Sequence, residues 1–357
     1  MKQELFIAAV LGASLLATAQ APKVVNAQFH TEPAGTGLSA TVDRFQHANG
    51  PLWLGYEVPA LAQSHFSVCS GDSRPTMDDG CCGEYRLEDS DHSFPSSGRD
   101  ERIETRIDIL LRIDQGAVQK IRFVPADCRL DAGGLPFTWL TDVQPDDSVA
   151  FLLRQVTADD KRRTDEALAA IALHATGKAT AVLVASASSS NPLWLREKSG
   201  FWLGAERGHD GLLALEQLMG DSDPEFRKKL TFDISVNHEP AAVDDLIRMA
   251  KSDTDTGVRE QALFWVAQKA GAKAVATLKE AVENDPEEAV KKRAVFAISQ
   301  LPKEDAVPEL LHLAQTNSNP AVRKEAIFWL GQTHDPRALE YFEQILARPD
   351  DRQSDSK

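Results

Sequence analysis

One short pattern returns along the last third of the chain at an almost fixed interval, and that interval limits what the chain can fold into. It reads N-P-A-V-R-K-E-A-I-F-W-L from Asn319 to Leu330. It recurs from Glu287 (E-E-A-V-K-K-R-A-V-F-A-I), from Asp255 (D-T-G-V-R-E-Q-A-L-F-W-V) and from Asp223 (D-P-E-F-R-K-K-L-T-F-D-I). A further copy, Leu193 to Leu203, ends G-F-W-L. The Phe of each copy stands at 201, 232, 264, 296 or 328, so the steps are 31, 32, 32 and 32 residues. Self-similarity at such a period marks a stacked array whose units bury their apolar faces against their neighbours.

Each unit reads as two helices. Asn319-Pro320 and Asp223-Pro224 are an N-cap followed by Pro at the first helical position. Val322, Ala326, Trp329 and Leu330 then form one apolar stripe at helical spacing. Gly331, Gly271 or Pro302 ends the first helix. A second register joins Leu212, Val243, Val275, Val307 and Leu339, and another joins Leu215, Leu246, Leu278, Leu310 and Phe342. The small residues Ala262, Ala294 and Ala326 stand where two helices approach. The repeat Phe points off the main stripe and is expected between neighbouring repeats. If it were fully buried there, its loss to Ala would cost about 3–5 kcal/mol.

The Val-Arg near the start of the first helix, the Ala three positions after that Arg and the Leu-Gly near its end resemble the HEAT family in a short bacterial form. The copies from Asp255, Glu287 and Asn319 match best. The copy from Asp223 departs at Leu230 and Asp233, and the copy from Leu193 at Ser199-Gly200. A degenerate copy is read upstream, with Thr164 to Leu173 as its first helix and Lys178 to Ala187 as its second. The resemblance covers about residues 147–347 and implies an α-solenoid offering a curved surface to a partner. It implies no chemistry. Related repeats occur in phycobilin lyases, but an exported, cysteine-bonded chain is not expected to attach pigment.

At the other end, Met1 to Ala21 reads as a signal peptide. Lys2 precedes an apolar run from Leu5 to Leu16, too short to span a bilayer comfortably, and Ala17-Thr18-Ala19 offers a small-x-small cleavage site. No lipobox Cys follows, so a soluble periplasmic or secreted protein is expected, with no membrane insertion after cleavage. The net charge of −15 argues against nucleic acid or anionic lipid as partner.

Residues 22–145 read as a mainly β domain. Pro51 to Ala60 is a strand bounded by Pro. Arg102 to Arg112 alternates Ile103, Thr105, Ile107 and Ile109 against charges, turns at Gln115-Gly116 and returns through Val118 to Val124, a hairpin expected to have one solvated face. Leu38 to Ala48 suits a short helix or a strand. Cys128 sits before a glycine turn and an aromatic cover. All four cysteines, Cys69, Cys81, Cys82 and Cys128, lie here, an even number in a chain that looks exported, so disulfides are expected. Adjacent Cys81 and Cys82 are poor partners for one another. This leaves 69 with 81 and 82 with 128, or 69 with 82 and 81 with 128. A zinc site flanked by His65 and His92 is the sharper alternative, though no Cys-x-x-Cys pair is present. The polar stretch Gly71 to Asp100, with Asp78, Asp79 and Glu84, reads as a long pinned surface loop rather than a binding loop. Asp147 is expected to cap a helix opening the array at residue 146. The array runs to 348, and residues 349–357 read as a disordered tail. The fold class is therefore α+β: a mainly β disulfide-bonded domain followed by an all-α solenoid.

No metalloprotease motif, nucleophile elbow, phosphate loop or dinucleotide fingerprint occurs, and no catalytic residue, metal or cofactor is assigned. Two ladders stand out instead. Arg196, Arg227, Arg259, Lys291 and Arg323 hold one repeat position, either as a basic stripe for an acidic peptide or, preferably, paired with Asp223, Asp255 or Glu287 at helix starts. Trp202, Trp265 and Trp329 hold another, either as binding anchors or, preferably, as filling between helices. The expectation is an exported, non-enzymatic scaffold that binds a protein or peptide. The alternative is an enzyme or peptidase modulator with its site near the Cys81-Cys82 loop.

Overall fold

The computed structural model describes residues 21–48, 50–61, 66–70, 84–89, 91–95, 105–126 and 128–347. The expected signal peptide up to residue 20, Cys81, Cys82, Asp78, Asp79, His65, Ile103 and the tail from residue 349 lie outside these. The chain divides into two compact units. One holds Met1–Pro59, His65–Arg102 and Arg106–Gln144; the other holds Ala60–Ser64, Ile103–Thr105 and Pro145–Lys357.

The first unit is built on strands. In chain order they are β1 (Lys23–Val25), β2 (Gln28–Pro33), helix α1 (Leu38–Gln46), β3 (Leu52–Pro59), β4 (Phe66–Ser70), β5 (Glu84–Arg86), β6 (Asp91–Pro95), β7 (Arg106–Asp114), β8 (Ala117–Pro125), β9 (Arg129–Asp131) and β10 (Pro136–Thr141). A mixed sheet runs β2-β10-β3-β7-β8, a parallel one runs β1-β9-β5, and β4 pairs with β6. The stretch 71–100 is thus not a loop throughout, because it contributes β5 and β6. Leu38 to Ala48 resolves as a helix, with Leu38, Thr41 and Val42 buried.

The β7–β8 hairpin turns at Gln115 and Gly116, both with positive φ, as a tight primed turn requires. The expected solvated face is absent. β7 lies between β3 and β8, and Ile107, Asp108, Ile109, Leu110 and Leu111 are all buried. The reason is a second apolar layer. Leu110 and Val124 share a core with Trp53, Phe137 and Trp139 of the large sheet and with Tyr85, Leu87, Cys128, Leu130 and Ala132 around the small one. Gly55 sits under these rings. A Cβ there would lie 2.8 Å from Phe137, 2.9 Å from Trp139 and 3.0 Å from Leu110.

The second unit is helical: α2 (Pro145–Leu153), α3 (Lys161–Leu173), α4 (Gly177–Ser186), α5 (Leu193–Glu206), α6 (Gly208–Leu218), α7 (Pro224–Val236), α8 (Ala241–Ser252), α9 (Thr256–Lys269), α10 (Ala272–Asn284), α11 (Glu288–Ser299), α12 (Lys303–Thr316), α13 (Pro320–Gln332) and α14 (Pro336–Leu346). The degenerate repeat is present as α3 and α4. α2 begins at Pro145, so Asp147 stands in its first turn rather than capping it. Asp223, Asp255 and Asn319 each accept a backbone N–H at the start of a first helix.

Successive first helices (α5, α7, α9, α11, α13) pack directly on one another, whereas successive second helices barely touch. The first-helix layer is therefore the inner side of the curve. Small residues allow the approach. A Cβ on Gly204 would lie 2.0 Å from the Asp233 carbonyl, and one on Gly211 2.0 Å from that of Leu203. The repeat position of Gly211 holds Ala242, Ala274, Ala306 and Ala338, all buried. The expected register at Leu212 is only partly apt, since Val243 and Val275 are half-buried and Leu339 is exposed. The register at Leu215, Leu246, Leu278 and Leu310 is fully buried, and its last member, Phe342, is half-buried.

Replacing Gly55 by Ala should destabilise the sheet unit by about 1–3 kcal/mol through overpacking. Denaturant unfolding followed at Trp53 and Trp139 fluorescence would register it, and an unchanged midpoint would refute the close fit.

Candidate functional site

The arginine ladder is engaged within the array. Arg227 Nε and Nη2 donate to the two Asp253 carboxylate oxygens at 2.9 and 2.8 Å, and its Nη1 donates to the Asp221 carbonyl at 2.7 Å. Arg259 repeats this with Asp285, at 2.8 and 3.1 Å, and with the Asp253 carbonyl at 2.9 Å. Arg196 meets Asp221 at 2.7 Å and Asp223 at 3.2 Å. All three are under a tenth exposed. The main partners are thus not the expected helix-start residues but the carboxylates two positions earlier, in the loop of the next repeat. Asp253 and Asp285 each also accept the backbone N–H two residues on, of Asp255 and Glu287. Hydrogen bonding from Arg227 holds Asp253 below the usual carboxylate range, outweighing its burial in combination with Arg259 and the backbone. The sequence carried this pattern as Asp221, Asp253, Asp285 and Asn317, one per repeat. At the last step, Lys291 donates to the Glu283 carbonyl at 2.7 Å, and Arg323 to that of Asn317 at 2.8 Å.

The tryptophan ladder lies elsewhere, in a continuous ribbon of rings on the first-helix layer. Trp202 meets Phe201 edge-on at 5.0 Å, and Phe201 stacks on Phe232 at 6.1 Å and 9°. Phe232 meets Trp265 at 5.2 Å, Trp265 meets Phe264 at 4.8 Å, and Phe264 stacks on Phe296 at 6.5 Å and 7°. Phe296 meets Trp329 at 4.9 Å, and Trp329 meets Phe328 at 5.0 Å. The rings do bridge neighbouring repeats, as expected of the Phe. They are not core, however: Phe232 is 38% exposed, Phe328 54%, and the others are half-buried. The full cavity cost expected for losing such a Phe does not apply. Both ladders follow from one spacing. Arg and Trp stand six residues apart on α5, α9 and α13, so they emerge on different sides.

Asp233 takes the tryptophan position in the second link. It is 3% exposed, lies under Gly200 and Gly204 of α5, and its Oδ2 has no hydrogen-bond partner among the described residues. Burial first, then Glu197, pushes its carboxyl well above the usual range, with Lys229 opposing. Burial likewise raises Glu206 to about 7. His174 is lowered to about 4, chiefly by burial. Its Nδ1 donates to the Ala170 carbonyl and its Nε2 accepts from Ser148, so it is a sealed structural link. Among the described residues no group of three His, Cys, Asp or Glu side chains is placed to hold a metal.

Residues 275–355 match the family model of HEAT repeats. The described helices of that stretch, up to residue 347, are HEAT repeats. The match begins in α10, and the helix pairs before it extend the same stacking. No curated protein matches the chain in sequence. Among solved structures, the complex of CpcE and CpcF of phycocyanin lyase from Nostoc shows 20% identity and a TM-score of 0.34, over 43% of this chain and 99% of that one. Human deoxyhypusine hydroxylase shows 16% and 0.32, over 58% and 92%. The archaeal HEAT-like repeats protein from Thermococcus onnurineus shows 13% and 0.29, over 51% and 85%. Such likenesses carry no argument about function. No helix among the described residues is long and apolar enough to cross a membrane.

Two outcomes follow. Asp285→Ala leaves Arg259 buried without its carboxylate and should cost about 3–5 kcal/mol in denaturant unfolding. Asp285→Asn keeps the turn acceptor, as native Asn317 does, and should cost clearly less; equal costs would refute the ladder's dual role. Asp233 has a folded pKa above its unfolded one, so the folded state binds the extra proton. Its contribution is present at low pH and is lost as pH rises from about 4 through the folded pKa. Asp233→Asn should therefore flatten the decline of melting temperature with rising pH, and an unchanged slope would refute the neutral carboxyl.

Proposed function

We propose that this chain is an exported, non-enzymatic protein-interaction scaffold whose docking surface is the aromatic ribbon of the first-helix layer. HEAT-like architecture suits such a role. The observation that carries it is the unbroken run of rings from Trp202 to Phe328, held half-exposed on the inner side of the array. Rings already stacked on one another lose little freedom when a partner covers them, so more of the contact energy is left for binding. Large aromatics dominate binding hot spots for the same reason.

Export rests on the leader-like segment and the cysteine pattern. Disulfides in the sheet unit are supported by Cys128, which is buried beside Tyr85 and Leu130, and by the lack of any free thiol among the described cysteines. They fit a periplasmic or secreted location.

Affinity capture from the native cell envelope, quantified by mass spectrometry, tests the reading. Phe232→Ala with Trp265→Ala should remove the captured partner, while Leu213→Ala, on the second-helix layer, should leave it. Each of Phe232, Trp265 and Leu213 keeps some exposure, so folding should survive, with melting curves as the control. Retention of the partner by the ribbon variant would overturn the reading.

A further inference from the structure

We infer that the ribbon takes an acidic, elongated polypeptide segment bearing apolar side chains; this rests on the docking surface proposed above. The first support is charge. The five first helices α5, α7, α9, α11 and α13 hold twelve Lys and Arg against seven Asp and Glu, while the five second helices α6, α8, α10, α12 and α14 hold six against eleven. In a chain of net charge −15, the ribbon layer is the positive one.

The second support is placement. Part of that positive charge is spent internally, since Arg196, Arg227 and Arg259 face loop carboxylates. The cations beside the rings are others. Lys198, Lys228, Lys229, Lys292, Arg293 and Lys324 stand three or four residues before a repeat Phe, which puts them on the same helix face. Arg293 lies over Phe296 at 4.6 Å and over Phe264 at 5.5 Å. Lys198 pairs with Asp165 and Lys292 with Glu288, whereas Lys228, Lys229, Arg293 and Lys324 make no ion pair among the described residues. At the same positions stand Glu197, Glu260 and Glu325, the last accepting from Trp329 Nε1. Cations therefore outnumber carboxylates along the rings.

The third support is shape. The ribbon crosses five helices packed side by side, about 40 Å at usual interhelical distances. An extended segment covers that length in about a dozen residues. A flat anionic bilayer presents the same charge but cannot follow the inner side of a curved array.

The test uses the full chain and three labelled synthetic peptides of about twenty residues, read by fluorescence anisotropy. One alternates Glu and Asp with Leu and Phe, one replaces its acids with Lys, and one keeps the acids but replaces Leu and Phe with Ser. The first should bind most tightly and weaken about tenfold between low and high salt. Lys228→Glu with Lys292→Glu and Lys324→Glu should weaken it about tenfold or more, with an unchanged melting curve. Equal binding of the Lys peptide, indifference to the charge reversal, or tighter binding to phosphatidylglycerol vesicles would overturn the inference. If no peptide binds while Phe232→Ala with Trp265→Ala still abolishes envelope capture, the inference falls and the docking surface stands. If neither variant has any effect, both fall.

Discussion

The array depends on one repeated contact, the guanidinium that ties α5, α7 and α9 each to the loop of the next repeat. A buried ion pair need not stabilise a fold, because removing two charges from water offsets most of their attraction. Here the geometry is favourable on every side. Arg259 donates through two nitrogens to Asp285 and through a third to the Asp253 carbonyl, and Asp285 also accepts from the Glu287 backbone. Such forked, charge-assisted bonds fix both distance and orientation. The contact therefore sets register: it holds one repeat's loop and starts the next repeat's helix. Lysine cannot form the fork, and where Lys291 replaces arginine the following loop carries the neutral Asn317.

Register alone would not fix which way the array bends. That follows from bulk. Gly200 and Gly204 let α7 approach α5, and Gly211, Ala242, Ala274, Ala306 and Ala338 let each second helix cross close over its partner. The first helices close up and the second helices stay apart. Residues on the free side of the first helices are then brought together across repeats, and these are the aromatic rings and the lysines.

The repeat, its helix pairs and their caps were legible because they rest on local chemistry repeated at 31 or 32 residues. The hairpin of β7 and β8 was legible from its alternation and its turn. Its burial on both sides was not, since that depends on β1, β5 and β9, which come from distant stretches and are three residues each. The arginine ladder was legible, and so was Asp223 as a partner of Arg196, but the partners of Arg227 and Arg259 lie two residues before the helix-start residue. The helix-start Asp was the obvious cap, and the loop Asp looked like turn chemistry; it is in fact both turn and ion pair. The tryptophans were set apart from the phenylalanines because each was read along its own helix. Their contact exists only between helices, where no single-helix pattern reports it.

Aromatic residues serve two ends in this chain, and burial separates them. Trp53, Phe137 and Trp139 are fully enclosed over Gly55, where the tight fit makes them core. The ribbon rings stack with one another instead, so each covers part of its neighbour and leaves part in water. That arrangement is self-supporting. Edge-to-face and offset contacts stabilise the rings beyond area burial alone, and the arginine ladder holds the helices whose spacing sets the ring distances. An exposed apolar strip would otherwise invite association. The lysines one turn away on the same face oppose that, because a second copy of the strip would bring like charges together. The cations proposed to favour an acidic partner are thus also the ones that set two copies of the strip against each other.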